Sequence, residues 1–367
     1  MERRTVTLII AVILIAGAIT YLQQFSPNKS YTGTSVAPGN RTAINAEKAL
    51  KYERAKEIAL PSGFVNTDNI TIGSLIGKKV ILVDFWTYSC INCERTIPYL
   101  NLWYAKYHDE GLEIIGVHTP EFPFEHDITN VRRAVIKFGI KYPVVLDNDY
   151  ATWGSYGNQY WPADYLIDID GFVVDKHFGE GDYDVTEKKI QDLLQERAEA
   201  LGITVSIPNT PGTPADSIPV DFSKVGSPET YFGSGRNQYL ANGQPLTAGP
   251  QTLVRPGAVQ PNALYLSGPW NFQDPYAENT GNATIIYRYN AKNVYFVASA
   301  VNATAVHVLL DGKPVTADVA GADVRDSMVS VKDEQLYTIV SGRDYGEHLL
   351  ELDMPEPGLR AYTFTFG

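Results

Sequence analysis

Two cysteines, Cys90 and Cys93, stand two residues apart, and the 367-residue chain has no others. A pair at this spacing can exchange disulfides when the first cysteine opens a helix. The helix dipole then favours its thiolate, and a second thiol one turn on resolves the mixed disulfide. Cys90 reads as the exposed nucleophile and Cys93 as the more buried resolving thiol. Asp84 lies six residues before Cys90 in an apolar run, Val80–Trp86, that reads as a buried strand. Desolvation there raises a carboxyl pKa, so Asp84 can take and return the Cys93 proton. Zinc is one competing reading, with His118 and His126 nearby. Structural zinc needs further ligands at a recognisable spacing, and the loop between these histidines does not provide it, so no metal is expected. A stabilising disulfide is another, but so short a loop gains little entropy. The Cys90–Cys93 pair is itself the redox group, and no further cofactor is expected.

The elements around the pair alternate. Val80–Trp86 and Glu113–Val117 read as buried strands, Pro143–Leu146 as a third, and Thr96–Tyr107 and Asn130–Phe138 as the helices between them. Tyr165–Asp168 and Val173–His177 flank the turn signal Asp170-Gly171, and Glu187–Ala200 reads as the closing helix. The order β-α-β-α-β-β-α predicts an α/β unit, a mixed central sheet with helices on both faces. Upstream, Ser26–Asn45 reads as a polar tether and Ala46–Ala59 as a helix stopped by Pro61. Downstream, Ile207–Pro219 carries four prolines and reads as a linker. Beyond it come short runs at Ala263–Leu266, Thr284–Tyr289, Val294–Ala298, Val306–Leu310, Gln335–Val340, His348–Leu352 and Leu359–Phe366. Turn signals at Asp311-Gly312, Ser341-Gly342 and Pro357-Gly358 separate some of them, which predicts an all-β sandwich. The expected divisions are 1–25, 26–60, 61–206, 207–220 and 221–367.

A net charge of -12, spread evenly over both halves, disfavours a nucleic-acid partner. Arg3 and Arg4 precede an uncharged apolar run, Val6–Leu22. As a helix that run would reach about 26 Å, near the lower limit for a membrane span. It reads as a retained anchor with the rest of the chain exported; a signal peptide cleaved near Ala16-Gly17-Ala18 is the alternative. Either places the chain outside the cytoplasm.

The flanks of the cysteine pair carry more. Asp84-Phe85-Trp86, Cys90, Cys93 and Pro98 match the thioredoxin superfamily in type and spacing, and Trp161-Pro162 stands at the place of its cis-proline loop. The strings FWTYSCINCERTIPYL, GVHTPEF, YPVVLDND, YWPADYLID and HFGEGDY resemble the soluble part of TlpA-like, DipZ-type proteins. So do SPETYFG, VYFVA, VLLDGKP and AYTFTFG, and the likeness runs from about Pro61 to Gly367. It implies a thioredoxin-like fold and a thiol-disulfide oxidoreductase acting on protein disulfides or dithiols, with apocytochrome among the substrates considered. It also implies Pro162 in cis facing Cys90, with the Trp161 backbone pairing with an incoming chain. Pro98 would kink its helix. Trp86 and Tyr88 are expected to help cover the pair and bind substrate. His118 and Glu121 belong to the shared motif as accessory residues without an assigned role. DipZ-type proteins join these domains to a CcdA-like membrane electron carrier. Here one apolar segment stands in that place, so a separate CcdA-like donor is expected.

The Ile91-Asn92 spacer has no basic residue, and the resemblance favours a reductase. The rivals are a peroxiredoxin-like peroxidase, which shares Thr87 but has Val83 where its proline belongs, and an envelope-attached binding protein. The downstream sandwich resembles a jelly-roll carbohydrate-binding module. Trp270, Tyr276, Tyr287, Tyr289 and Tyr295 are the aromatics a glycan would need, and a protein partner is the other reading.

Overall fold

The computed structural model describes residues 38–208 and 210–367. The apolar run Val6–Leu22 and residues 26–37 of the expected tether lie outside these residues. Among the described residues, no helix is long and apolar enough to cross a membrane.

The first half builds a six-stranded sheet from β1 (Gly63–Val65), β2 (Val80–Trp86), β3 (Leu112–His118), β4 (Val144–Leu146), β5 (Ala163–Ile167) and β6 (Val173–Phe178). Their order is β1-β4-β3-β2-β5-β6, with β2, β3 and β4 parallel and the other pairings antiparallel. Every residue of β2 and β3 is buried, as expected of strands covered on both faces. Val80, Leu82 and Trp86 pack into the core under the long helix α3 (Ile91–Tyr107), and Ile81, Val83 and Phe85 into the opposite one. Short helices α2 (Ile72–Leu75) and α5 (Ala151–Tyr156) and the longer α4 (Ile128–Lys137) and α6 (Tyr183–Leu201) complete this half.

The N-terminal expectation needs correction. Helix α1 spans Pro38–Lys51, so residues 38–45 are helical rather than tether, and the chain leaves the helix before Tyr52. From there it runs beside the β5–β6 turn. Ala55 donates to the Gly171 carbonyl, Val173 to that of Glu53, and Arg54 lies 3.9 Å from the Phe172 ring centroid. These backbone partners and the stacked guanidinium override the helical propensity of residues 52–59. Helix α1 is held by Lys48, which pairs with Asp168, Asp170 and Glu196, and by Arg41 with Asp170. Those three acids converge, but the Lys48 ammonium lies among them.

The second half is all β, from β7 (Thr230–Tyr231), β8 (Gly249–Leu253), β9 (Leu264–Phe272) and β10 (Ala277–Asn279) through β11 (Ala283–Ala300) and β12 (Thr304–Leu310). Strands β13 (Lys313–Pro314), β14 (Val324–Arg325), β15 (Met328–Val331), β16 (Gln335–Met354) and β17 (Leu359–Phe366) follow. The runs expected as separate strands, Thr284–Tyr289 with Val294–Ala298, and Gln335–Val340 with His348–Leu352, are single strands of 18 and 20 residues. Ser341-Gly342 is therefore no turn. It sits at an irregularity where β11 and β16 slip register between Ala291 and Asn293. A Cβ at Gly342 would come within 2.4 Å of the Lys292 carbonyl, so close approach explains that glycine. The first part of β11 pairs with β9 and the second with β17, while β10 joins β9 to β17. Strands β9, β11, β17 and β10 thus close a hydrogen-bonded circuit, from which the others extend, and the half has its own core.

The two halves share a core. Tyr295, Val297, Leu336 and Tyr362 of the second half pack in the same cluster as Trp86, Tyr88, Ile91 and Cys93 of the first. Tyr362 meets Phe122 and Phe124 at ring-centroid distances of 5.2 and 4.9 Å. The proline-rich connection is also tied down, since Gly212 donates to the buried Glu187 carboxylate at 2.8 Å. The shared core predicts one calorimetric unfolding transition for the whole protein. Tyr362→Ala should cost about 3–5 kcal/mol, as for other buried aromatics, and split that transition in two. Two resolved transitions in the unmutated protein would sink the idea.

Candidate redox site

Strand β2 ends at Trp86, and Thr87–Ser89 carry the chain over the sheet to Cys90. Cys90 caps α3 with extended backbone, φ -87 and ψ 117, and its carbonyl accepts the first helical hydrogen bond from Glu94 at 3.0 Å. Its thiol is half-buried and Cys93 is buried. Pro98 lies inside α3 and leaves the Glu94 carbonyl without its helical donor. The Trp161–Pro162 bond is cis, and Cys90 Sγ lies 4.0 Å from the Trp161 carbonyl oxygen. Trp161 is positioned by its tilted contact with Trp153, ring centroids 4.3 Å apart, and by its indole N–H, which donates to the Thr119 carbonyl at 3.0 Å.

Asp84 points into the core below the pair, and neither of its buried carboxyl oxygens has a hydrogen-bond partner. Its register partner on β5 is Asp164. Burial, reinforced by that second carboxyl, holds Asp84 well above the usual carboxylate range. Burial also pushes the Cys93 thiol up, with smaller contributions from Cys90 and Asp84. With both affinities raised, the Cys93 thiol can pass its proton to the Asp84 carboxylate, and the negative charge moves to sulfur.

Trp86 and Tyr88 need correction as substrate-binding residues. Trp86 is fully buried and Tyr88 is 4% exposed, so neither offers a surface to an incoming chain. Trp86 meets the edge of His118 at 5.0 Å, while Tyr88 stacks on that ring at 5.7 Å and donates to the Glu334 carbonyl at 3.1 Å. His118 is buried and held neutral, its pKa lowered to about 3 by desolvation. It supports the core under the site. Glu121 accepts from Tyr231 at 2.9 Å and from Arg236 at 2.7 Å, and so clamps the second half to the first. Trp270, Tyr287, Tyr289 and Tyr295 are all buried too, which removes the aromatic platform a glycan would need; Tyr276 stays half-exposed.

Sequence reasoning missed Glu125. This fully buried carboxylate accepts the Ser89 hydroxyl at 2.6 Å and the backbone N–H groups of Glu121 and Phe122 at 2.6 and 2.8 Å. Burial raises its pKa to about 7, with the Ser89 and Thr87 hydroxyls opposing that rise. It ties the loop before Cys90 to the loop that docks the second half. Arg95 was also missed. It is buried one turn into α3, pairs with Glu180 at 2.6 Å and lies 5.4 Å from the Tyr295 ring centroid. Asp164 had a legible signal, an acid inside the apolar strand Ala163–Ile167.

Two outcomes follow from these environments. The native state binds the Asp84 proton more tightly than the unfolded chain does, so Asp84 costs stability as pH rises above its unfolded value of about 4. Asp84→Asn should therefore be more stable than the parent at about pH 8 and equal to it at about pH 3 in urea unfolding. A variant less stable at the higher pH contradicts the assignment. Glu125→Gln sets an amide N–H against donors and should lose about 1–3 kcal/mol in the same assay; no loss would show that the loop holds without it.

Residues 53–194 match the Redoxin family and residues 227–367 the family described as Thioredoxin like C-terminal domain. The protein DipZ of Mycobacterium bovis is 39% identical over 310 residues, which cover 83% of this chain and 42% of that protein. The chain thus spans about two fifths of that relative's length. The thiol-disulfide oxidoreductase ResA of Bacillus thuringiensis is 40% identical over 137 residues, 36% of this chain and 73% of that protein. The solution structure of a thioredoxin-like protein in the oxidized form aligns with 40% of this chain and 97% of its own, at 28% identity and a TM-score of 0.37. With a dithiol at a helix start over a buried acid, and a ResA protein matched over most of its length, the chain belongs to the TlpA/DipZ-type thiol-disulfide oxidoreductases of the thioredoxin superfamily.

Proposed function

We propose that this chain reduces protein disulfides outside the cytoplasm, drawing its electrons from a separate CcdA-like membrane carrier. The observation that carries the reading is the asymmetry of the dithiol. Cys90 is half-buried at a helix start, and Cys93 is sealed in the core over Asp84. Cys90 as thiolate attacks one sulfur of a substrate disulfide, forming a mixed disulfide and releasing the other sulfur as a thiolate, which is then protonated. Cys93 gives its proton to Asp84 and attacks Cys90 Sγ. The substrate leaves as a dithiol and the protein holds the Cys90–Cys93 disulfide. The Trp161 backbone beside Cys90 is the proposed register for the incoming chain, and apocytochrome is one proposed substrate. Val6–Leu22 is the proposed membrane anchor. With Trp270, Tyr287, Tyr289 and Tyr295 buried in packing, the β domain is proposed to hold the redox face and meet a protein partner, in preference to a jelly-roll glycan module.

The reading is tested by the reduction potential of the Cys90–Cys93 pair, measured by equilibration with glutathione and alkylation of free thiols. A value below about -200 mV supports a reductase, and a value near about -120 mV overturns it in favour of a disulfide donor. Cys93→Ser should retain the mixed disulfide that the parent resolves, visible as an added mass on Cys90. A variant that releases its substrate at the parental rate would deny Cys93 its role.

A further inference from the structure

Cross-strand register lines up Gly116 of β3, Asp84 of β2, Asp164 of β5 and His177 of β6 as successive partners. Residues directly opposite on neighbouring strands send their side chains to the same face, about 4.5–5.5 Å apart at Cβ. The row therefore runs from beneath the cysteine pair to β6, the edge strand of the sheet. Gly116 is closed to a side chain, since a Cβ there would lie 2.9 Å from Trp86 Nε1 and 3.1 Å from the Tyr142 ring. The row thus opens only toward β5. Both carboxyl oxygens of Asp84, Oδ1 of Asp164 and Nε2 of His177 are buried atoms with no hydrogen-bond partner in the protein. Buried polar atoms are nearly always paired, so consecutive orphans in one row call for an explanation. Two facing carboxyls share a proton when one carries it, and an imidazole can accept on one nitrogen and donate from the other.

We propose that Asp84, Asp164 and His177 form a proton path joining the buried Cys93 thiol to solvent at the β6 edge. The path rests on the dithiol mechanism proposed above. When Cys93 attacks Cys90 Sγ, its S–H proton passes to the Asp84 carboxylate. The bond between Cys90 and the substrate sulfur breaks, and the leaving thiolate takes a proton from water. The proton on Asp84 moves to Asp164 and through the His177 imidazole to solvent, leaving Asp84 able to accept again. Reduction of the Cys90–Cys93 disulfide by the donor runs the path inward. Tyr142 Oη, buried and unpartnered, faces Asp84, Asp164 and Cys93 from the segment before β4. Asp175 of β6 is the other charge facing Asp164, and Lys189 of α6 neutralises it at 2.6 Å. Burial keeps both Asp84 and Asp164 above the usual carboxylate range, so either can hold a proton near neutrality.

The test uses the reduced full chain and 5,5′-dithiobis(2-nitrobenzoate) in stopped flow. Attack by Cys90 releases one thionitrobenzoate, and attack by Cys93 on the resulting mixed disulfide releases the second. Asp164→Asn and His177→Gln should each slow the second release by about tenfold or more while the first continues, and added imidazole should restore the rate in His177→Gly. A second release within about twofold of the parent in both Asp164→Asn and His177→Gln overturns the path, as does a failure of imidazole to rescue. His177 is only half-buried, so its variants answer the question even where Asp164→Asn unfolds. Ring closure in the parent reports the dithiol mechanism itself, so a parental rate without Asp164 removes the path and leaves that mechanism standing.

Discussion

A carboxyl group without a hydrogen-bond partner sits in the middle of a strand buried on both faces, and much of the molecule keeps it there. Leaving Asp84 unpaired in the core costs free energy, and ionising it there would cost far more. The sheet sustains this because β2 is central, with parallel β3 on one side and antiparallel β5 on the other. Trp86 and Tyr142 fill the space that Gly116 leaves open, and α3 covers the row from above. The result is a dry floor beneath two thiols, where proton affinity and sulfur chemistry are coupled by desolvation.

The same constraint explains the place of the second half. Residues 119–126 form the rim of the site, and a bare loop there would expose Phe122 and Phe124. Tyr362 covers both rings. Glu121 reaches across to Arg236 and Tyr231, while Glu125 turns inward to Ser89, directly before Cys90. Two acids four residues apart thus do opposite jobs. One clamps the β domain and the other fixes the redox loop, so docking of the β domain and the position of Cys90 are linked through one short segment. Arg95 adds a second link, bound to Glu180 in its own half and facing Tyr295 of the other.

Much of this was open to inspection in the chain. The apolar run Val80–Trp86, the spacing of Cys90 and Cys93 and the Asp170-Gly171 turn fixed the central strand, the helix start and the hairpin through local patterning alone. Propensity failed where backbone partners far along the chain intervened. Residues 52–59 are good helix formers, yet the helix ends at Lys51 and residues 53–55 bond to the β5–β6 turn instead. Ser341-Gly342 has the composition of a turn but serves a register slip inside β16.

Sequence by itself determined the chemistry: two thiols at a helix start and an acid in a buried strand nearby. These follow from residue type and short-range spacing, which act before any long-range contact forms. Tertiary structure alone decided who faces whom. It set Asp164 opposite Asp84, turned Glu125 inward and Glu121 outward, and buried Trp86, Tyr88, Tyr287, Tyr289 and Tyr295. Such partnerships depend on strand register and domain docking, where one residue of slip reverses a side chain's face, and no local pattern encodes them.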